Sequence, residues 1–217
     1  MTLALYGHPF SSYTWKALIA LYANGTTFDF RMLGPDHPEH QAVVAAASPA
    51  GKFPLLIDGE ASIFEASAII EYLHRHYPGP APLLPEDAGA AIRTRMIDRV
   101  FDNYVMASVQ DAVNEKLRAP DNPDPAVRHR AEDQLLRSYR WLDHWLADYD
   151  SRPDVSLIEC AAAPALFYAD WTLPIPSELA RLRQYRAHLL ALPAVARCVD
   201  DARPYRGYFP LGAPDRD

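Results

Sequence analysis

The chain has 217 residues, of which 49% are hydrophobic and 23% are charged, so it can bury one large core or two smaller ones. Its formal net charge is -7, with acidic and basic residues interspersed, which argues against nucleic acid or an anionic membrane as a main partner. The longest apolar run, CAAAPALFYA (160–169), is about half as long as a membrane-spanning helix requires.

The first 78 residues alternate short apolar segments, typical of strands, with segments that repeat their apolar residues at helical spacing. Asp58 and Gly59 form a dipeptide that is favoured in hairpin turns. The predicted elements are, in chain order, a strand at 3–6, a helix at 13–23, a strand at 26–33, a helix at 38–47, strands at 54–58 and 61–64, and a helix at 65–77. This β-α-β-α-β-β-α order fits a small sheet with helices on its faces.

The N-terminus and the cysteines indicate the compartment. No basic region precedes the first apolar residues, and Gly7, His8 and Pro9 interrupt them, so we expect no signal peptide. Cys160 and Cys198 form neither a C-x-x-C pair nor a zinc pattern, which is typical of idle thiols in a reducing compartment. We therefore expect a cytoplasmic protein. Only three of its 21 basic residues are lysines, a composition that favours a GC-rich bacterial genome.

Beyond a proline- and glycine-rich linker at 79–89, the pattern is entirely helical. Ser156 and Glu159 form a predicted capping box at one helix start. We expect the aromatic tail, RPYRGYFPLGAPDRD (203–217), to pack on the rest of the protein. The predicted helices cover residues 90–118, 125–149, 157–170, 178–191 and 194–202. We thus expect two domains, 1–78 and 90–217, on either side of the linker.

Several familiar site patterns are missing from the sequence. It contains no G-x-G-x-x-G, no P-loop, no G-x-S-x-G and no H-E-x-x-H. His37 and His40 are three residues apart, and His74 and His76 are two apart, and we expect no third ligand near either pair. These histidines are interpreted as surface residues, and no metal site is predicted.

Three short segments contain candidate functional residues. Ser11 and Ser12 lie at a strand-to-helix junction, where a serine can simply cap the helix. In SPAGKFPLL, Pro54 opens a strand; a cis Phe53–Pro54 bond would expose the backbone of Phe53 to an extended ligand. In FEASAI, Glu65 precedes a helix, whose dipole favours an acidic residue there. Each feature alone therefore has a structural explanation.

Together, these segments resemble the cytosolic glutathione transferase family over essentially the whole chain. SPAGKFPLL resembles the family's NPxGkvPxL segment, whose proline is cis, and FEASAIIEYL resembles its xESxAIxxYL helix start. Glu65 follows Pro54 by eleven residues (65 minus 54), as is usual in several classes. SLIECAAAPAL resembles the capping box and apolar stretch of the family's sixth helix. SSYTWK resembles the serine-type classes, especially the SSCSWR of the zeta class.

The resemblance implies a fold class and a reaction. The fold would be an α/β thioredoxin-like domain that binds glutathione, followed by an all-α helical bundle that, with the tail, contributes the pocket for an electrophile. The protein would be a homodimer that uses glutathione as cosubstrate and no metal. The identity of the electrophile is not encoded in any motif.

The resemblance also assigns the residues around the sulfur. Ser11 would be the catalytic hydroxyl that stabilises the glutathione thiolate, with Ser12 as the second choice. Phe53 would offer its backbone to the cysteinyl part of glutathione, with a cis Pro54 behind it.

The two ends of glutathione would be held by further residues. Lys52 would approach the glycyl carboxylate, and Glu65 with Ala66 would hold the γ-glutamyl end. The family has a serine where this chain has Ala66, and Ser67 is displaced by one position. The cysteine of the zeta pattern is Tyr13 here.

The sequence is compatible with three functions. The first is glutathione transfer to a small hydrophobic electrophile. The second, on the same scaffold, is a glutathione-dependent isomerase or disulfide reductase. The third is a non-catalytic module that binds glutathione or a partner, and the missing hydroxyl at Ala66 favours it.

Overall fold

The computed structural model describes residues 3–151 and 153–215. Its N-terminal part forms a four-stranded sheet with three helices, in the order predicted from the sequence. The elements are β1 (Ala4–Gly7), α1 (Ser12–Ala23), β2 (Asp29–Met32), α2 (Pro38–Ala47), β3 (Leu55–Asp58), β4 (Ala61–Phe64) and α3 (Ala66–His76).

The sheet has the strand order β2-β1-β3-β4 and is mixed. Leu5 in β1 pairs with Phe30 of β2 in parallel and with Leu56 of β3 in antiparallel orientation. β3 and β4 form a hairpin around the predicted turn, in which Leu55 is opposite Phe64. Because β1 is central, the loop that follows it emerges near the middle of the sheet edge.

Helices cover both faces of the sheet. Leu5 and Leu56 point to the face covered by α1 and α3 and belong to the main hydrophobic core. Leu55 points to the opposite face, where it packs with Val44 of α2 and with Tyr6. This alternation follows from the two-residue period of a strand.

The rest of the described chain is helical, which confirms the predicted fold class. The described helix α7 is buried along its whole length and begins at the predicted capping box of Ser156 and Glu159. The helices are α4 (Ala88–Val100), a π-helical segment (Phe101–Met106), α5 (Ala107–Arg118), α6 (Pro125–Trp145), α7 (Leu157–Thr172), α8 (Ala180–Ala191), α9 (Pro193–Ala202) and a 3-10 helix (Arg203–Tyr208). None of the helices in the described part of the chain is long and apolar enough to cross a membrane.

Some element boundaries differ from the prediction. The strand predicted at 26–33 begins only at Asp29, because the N–H of Thr26 bonds to the carbonyl of Leu21 in a turn. The helix predicted at 125–149 ends at Trp145, because the N–H groups of Ala147 and Asp148 bond three residues back rather than four. The helix predicted at 90–118 is continuous but contains the π-helical segment, which apolar periodicity does not reveal.

Candidate active site

The two predicted serines lie at the start of α1, beneath the loop that leaves β1. Ser11 is the N-cap residue, and its Oγ accepts a hydrogen bond of 3.3 Å from the N–H of Thr14. The N–H of Ser11 itself donates to the carbonyl of His8 at 3.0 Å. A Cβ at Gly7 would lie 2.6 Å from Thr14, so a glycine is required for the loop to pack this closely on the helix. The position of Ser11 is therefore fixed by hydrogen bonds of both its backbone and its side chain.

The start of α1 presents unpaired donors. Within the part of the chain that the structure describes, the N–H groups of Ser12 and Tyr13 have no hydrogen-bond partner. They belong to the first turn, whose N–H groups have no acceptor inside the helix. The Ser11 hydroxyl accepts from Thr14, which leaves its own proton free to donate. This group of donors is suited to stabilising an anion.

Phe53 and Pro54 are joined by a cis peptide bond in the structure. Pro54 is buried and lies directly before β3, whereas Phe53 is exposed. The β1–β3 pairing ends at Tyr6 and Leu55. Among the described residues nothing pairs with the backbone of Phe53, so an extended ligand could bind there as an added strand.

Glu65 has an unusual backbone conformation at the start of α3. Its φ of 69° lies in the region that residues with a Cβ seldom adopt, and the structure describes no other non-glycine residue with a positive φ. Its exposed side chain makes no capping bond, although its carbonyl accepts from the N–H of Ile69. Such a conformation costs on the order of 1–3 kcal/mol and is concentrated at ligand-binding positions.

The side chains of three predicted glutathione ligands do not point into the cleft as exposed polar groups. The Oγ of Ser67 is buried and lies 2.8 Å from Asp98 Oδ2 and 3.0 Å from Lys16 Nζ, so this hydroxyl is turned away from the exposed Glu65. Ala66, just before it, is buried as well. The side chain of Lys52 is exposed and does not line the cleft, although its N–H donates to Ser48 Oγ at 3.2 Å.

A buried charge cluster connects the two halves of the molecule, and sequence reasoning missed it. Lys16 of α1 is 1% exposed, and its Nζ lies 2.7 Å from both Asp98 Oδ1 and Asp102 Oδ2. Burial raises the pKa of the Asp102 carboxyl; the charge of Lys16 opposes that rise, and the charge of Asp98 adds to it. The cluster fixes α1 to α4, to the π-helical segment and, through Ser67, to α3.

A cleft of about 460 Å³ opens beside the serines, between the N-terminal part and the helices. Ser11, Ser12 and Phe53 line its polar side. A larger polar cavity of about 750 Å³ between α5 and α6 contains none of these residues. The apolar wall of the cleft is formed by Met106, Val109, Val113, Leu117, Tyr168, Tyr208, Phe209 and Pro210. The cleft thus joins an anion-stabilising edge to an apolar pocket.

Tyr13 and His8, which both line the cleft, are neutral near pH 7. Burial, with the charges of Asp102 and Glu65 nearby, raises the pKa of Tyr13 to about 12. Burial lowers the pKa of His8, whose Nδ1 accepts a 3.1 Å hydrogen bond from the N–H of Phe10. The cleft therefore offers a bound anion hydroxyl and N–H donors rather than a fixed positive charge.

The chain is similar in sequence to known proteins. Residues 5–81 match the family model described as glutathione S-transferase, N-terminal domain. Glutathione S-transferase 1 of Dianthus caryophyllus is 30% identical over 178 residues, which cover 76% of both chains. A probable maleylacetoacetate isomerase of Vibrio cholerae is 27% identical over 212 residues, covering 94% of this chain and 98% of the relative.

A solved structure shows the same fold. The glutathione S-transferase of Methylobacillus flagellatus, crystallised with glutathione bound, superposes with a TM-score of 0.76 at 24% identity. The superposition covers 91% of this chain and 98% of that one.

Proposed function

Because the chain belongs to the glutathione S-transferase family, a family of enzymes, we propose that its cleft binds glutathione and transfers it to a small hydrophobic electrophile. The N-terminal domain (1–78) binds glutathione. The helical domain (90–217), which follows the linker 79–89, contributes the apolar pocket.

Glutathione is placed by three groups of the N-terminal domain. Its cysteinyl backbone pairs with the free N–H and C=O of Phe53 in an added-strand arrangement. Its γ-glutamyl end lies at the start of α3, where the N–H groups of Ala66 and Ser67 bind the carboxylate and Glu65 binds the amino group. Lys52 attracts the glycyl carboxylate. The sulfur then lies beside Ser11.

The chemistry requires only moderate stabilisation of the thiolate. An unperturbed thiol has a pKa of about 8.5, and the thiolate is the nucleophile. Lowering the pKa by about two units needs roughly 2.7 kcal/mol of preferential stabilisation, at about 1.36 kcal/mol per unit. A hydrogen bond to a charged group supplies about 1.5–3 kcal/mol. The Ser11 hydroxyl, with the N–H groups of Ser12 and Tyr13, is therefore sufficient, and no metal or general base is needed.

The observation that carries this proposal is the orientation of Ser11. Its oxygen is held by the N–H of Thr14, so its proton is free to point into the cleft. We expect glutathione bound to the protein to titrate near pH 6.5, about two units below the free thiol. The conjugation rate should rise with pH through that value, because the thiolate fraction rises. Ultraviolet absorbance of the bound thiolate, followed against pH, measures it; a bound thiol that titrates like free glutathione contradicts the proposal.

The strained backbone of Glu65 can be relieved by a glycine at this position. The substitution Glu65→Gly should raise the free energy of unfolding by about 1 kcal/mol, since glycine accepts a positive φ without a Cβ clash. It should also raise the KM for glutathione by roughly 10- to 100-fold, because the carboxylate that binds the amino group is lost. Chemical denaturation and steady-state kinetics measure the two effects.

Glu65→Gln is the matched control, because it removes the charge and keeps the backbone strain. It should raise the KM without the gain in stability. If Glu65→Gly is less stable than the wild type and leaves the KM unchanged, the conformation of Glu65 serves the fold alone.

Glutathione-dependent isomerisation is the second candidate function. The near full-length similarity to the probable maleylacetoacetate isomerase favours it. In that reaction the thiolate would add to a cis double bond, the carbon–carbon bond would rotate, and elimination would regenerate glutathione. Incubation with maleylacetoacetate separates the candidates, since isomerisation leaves the glutathione concentration unchanged and conjugation consumes it. A protein that neither binds glutathione nor shows thiol-dependent activity would instead be a non-catalytic module.

We also propose that the protein is a homodimer in the cytoplasm. Ile92 and Met96 lie one turn apart on α4 and are both exposed, as is Phe64 at the end of β4. Neighbouring exposed apolar side chains, such as Ile92 and Met96, support an interface on this helix. Cys160 and Cys198 are buried free thiols, as expected for a reducing compartment.

A further inference from the structure

Two histidines and a glutamate converge where the β2–α2 loop enters α2. One potential ligand atom from each of His37, Glu39 and His40 lies within 4.8 Å of the other two. The sequence pattern predicts a pair of surface histidines without a third ligand here. Glu39, which lies between them in the sequence, supplies the third ligand.

The distances between these atoms are close to those around a bound ion. His37 Nδ1 is 3.4 Å and His40 Nε2 is 3.7 Å from Glu39 Oε1. In a tetrahedral zinc site, bonds of about 2.0–2.1 Å separate neighbouring ligand atoms by roughly 3.4 Å. Each histidine nitrogen therefore lies within a few tenths of an ångström of the separation from Glu39 that a shared ion requires, and the third separation, between the two rings, is at most 4.8 Å.

The ring of His40 is already oriented for coordination. Its Nδ1 lies 2.8 Å from the carbonyl oxygen of Met32, which is an acceptor only, so Nδ1 carries the proton and donates it. The lone pair is then on Nε2, the atom that faces Glu39. Histidines that bind metals commonly donate their other N–H to a carbonyl in this way, which fixes both tautomer and orientation. The ring of Tyr6 packs edge-on against His40 and limits its rotation.

The local sequence explains why the three residues converge. His37 is the N-cap residue of α2, yet its side chain makes no capping bond and remains available. Pro38 fixes the backbone at the first helical position. His40 follows three residues after His37, a spacing that places both rings on one face of the helix, where they stack with centroids 5.0 Å apart.

We propose that His37, Glu39 and His40 bind a divalent first-row transition ion, with Zn²⁺ as the best match to two imidazoles and a carboxylate. Glu39 is 64% exposed, so water can reach the remaining coordination positions. Its charge also offsets the positive end of the helix dipole, which disfavours a cation. None of the three residues lines the cleft, so the site is separate from the proposed transferase chemistry, which needs no metal.

The test is calorimetric titration of the full chain with Zn²⁺, without glutathione, because thiols compete for the ion. We expect one ion per chain. The substitution His40→Ala should weaken binding by about 100-fold or more, since loss of an outer-shell partner alone costs on the order of 10- to 100-fold. His74→Ala, which removes a histidine of α3, is the control and should leave the affinity unchanged.

Two further measurements distinguish a loss of Zn²⁺ binding from a folding defect in His40→Ala. Glu39→Gln alters an exposed side chain and should also weaken Zn²⁺ binding while leaving the circular dichroism spectrum unchanged. Co²⁺ bound to the wild type should show the visible absorption of a low-coordinate ion, and His40→Ala should lose it. If the wild type binds no ion, or if His74→Ala weakens binding as much as His40→Ala does, the site is only a hydrogen-bonded helix start.

Discussion

Replacing Ser11 by alanine is expected to lower kcat/KM for glutathione conjugation by roughly 10- to 100-fold. The reason is the loss of one hydrogen bond to a charged sulfur, which is worth about 1.5–3 kcal/mol. The pKa of the bound thiol should rise by about one to two units at the same time. Steady-state kinetics against pH, with saturating electrophile, measure both changes on one set of curves.

Ser11 also caps α1, so its catalytic and structural contributions must be separated. Alanine at an N-cap costs about 1 kcal/mol of stability, whereas glycine costs only a few tenths. Ser11→Gly should therefore remain nearly as stable as the wild type and lose as much activity as Ser11→Ala. Ser11→Thr restores a hydroxyl and should recover a large part of the activity.

Ser12→Ala is the matched control on the neighbouring residue. Ser12 is 8% exposed and lines the same cleft, but no hydrogen bond within the described chain orients its hydroxyl. We expect a loss of less than about threefold, because an unoriented hydroxyl stabilises a charge weakly. A large loss in Ser12→Ala with none in Ser11→Ala would reverse the assignment, and full activity in both would exclude the serine mechanism.

The fold was largely predictable because its signals are local. The helix at 38–47 was predicted with its observed bounds from a proline at its first turn and an apolar pattern. The hairpin around Asp58 and the capping box at Ser156 follow from short motifs that act within a few residues. The π-helical segment was not predictable, because it depends on packing between distant helices and not on any local pattern.

The candidate site was predictable only in outline. The cis bond before Pro54 was predicted only from the family resemblance, because few X–Pro bonds are cis and nothing else in the sequence indicates one. The structure confirms this bond. The positive φ of Glu65 has no sequence signal, because such a conformation is seldom seen outside glycine. The apolar wall of the cleft combines residues of the π-helical segment, α5, α7 and the tail, which only the tertiary fold brings together.

The charge cluster around Lys16 was missed for a related reason. Lys16 is 82 residues from Asp98 and 86 from Asp102, and no helical or strand period relates such positions. The cluster affects the candidate site directly, because Lys16 and Asp98 hydrogen-bond to the hydroxyl of Ser67. A polar side chain displaced by one position from a family pattern was therefore used for the interior and not for the cleft.

Lys16→Met is expected to lower the free energy of unfolding by about 3–5 kcal/mol at neutral pH. Methionine fills a similar volume, but the substitution leaves two buried carboxylates without their counter-charge. Arg95→Met is the control, since it breaks an ion pair with Glu71 in which the side chains are 45% and 38% exposed, and it should cost less than about 1 kcal/mol. Urea denaturation of the two variants beside the wild type measures the difference.

The same variant should acquire a distinct pH dependence. Lys16 opposes the raised pKa of Asp102, so its removal should raise that pKa further. A carboxyl whose pKa is higher in the folded than in the unfolded protein binds more protons when folded, so stability falls as the pH rises between those two values. Lys16→Met should therefore recover much of its lost stability on acidification through that window, relative to the wild type. An equal loss at every pH would assign the defect to packing, and a loss below about 1 kcal/mol would show that the cluster does not hold α1 against α4.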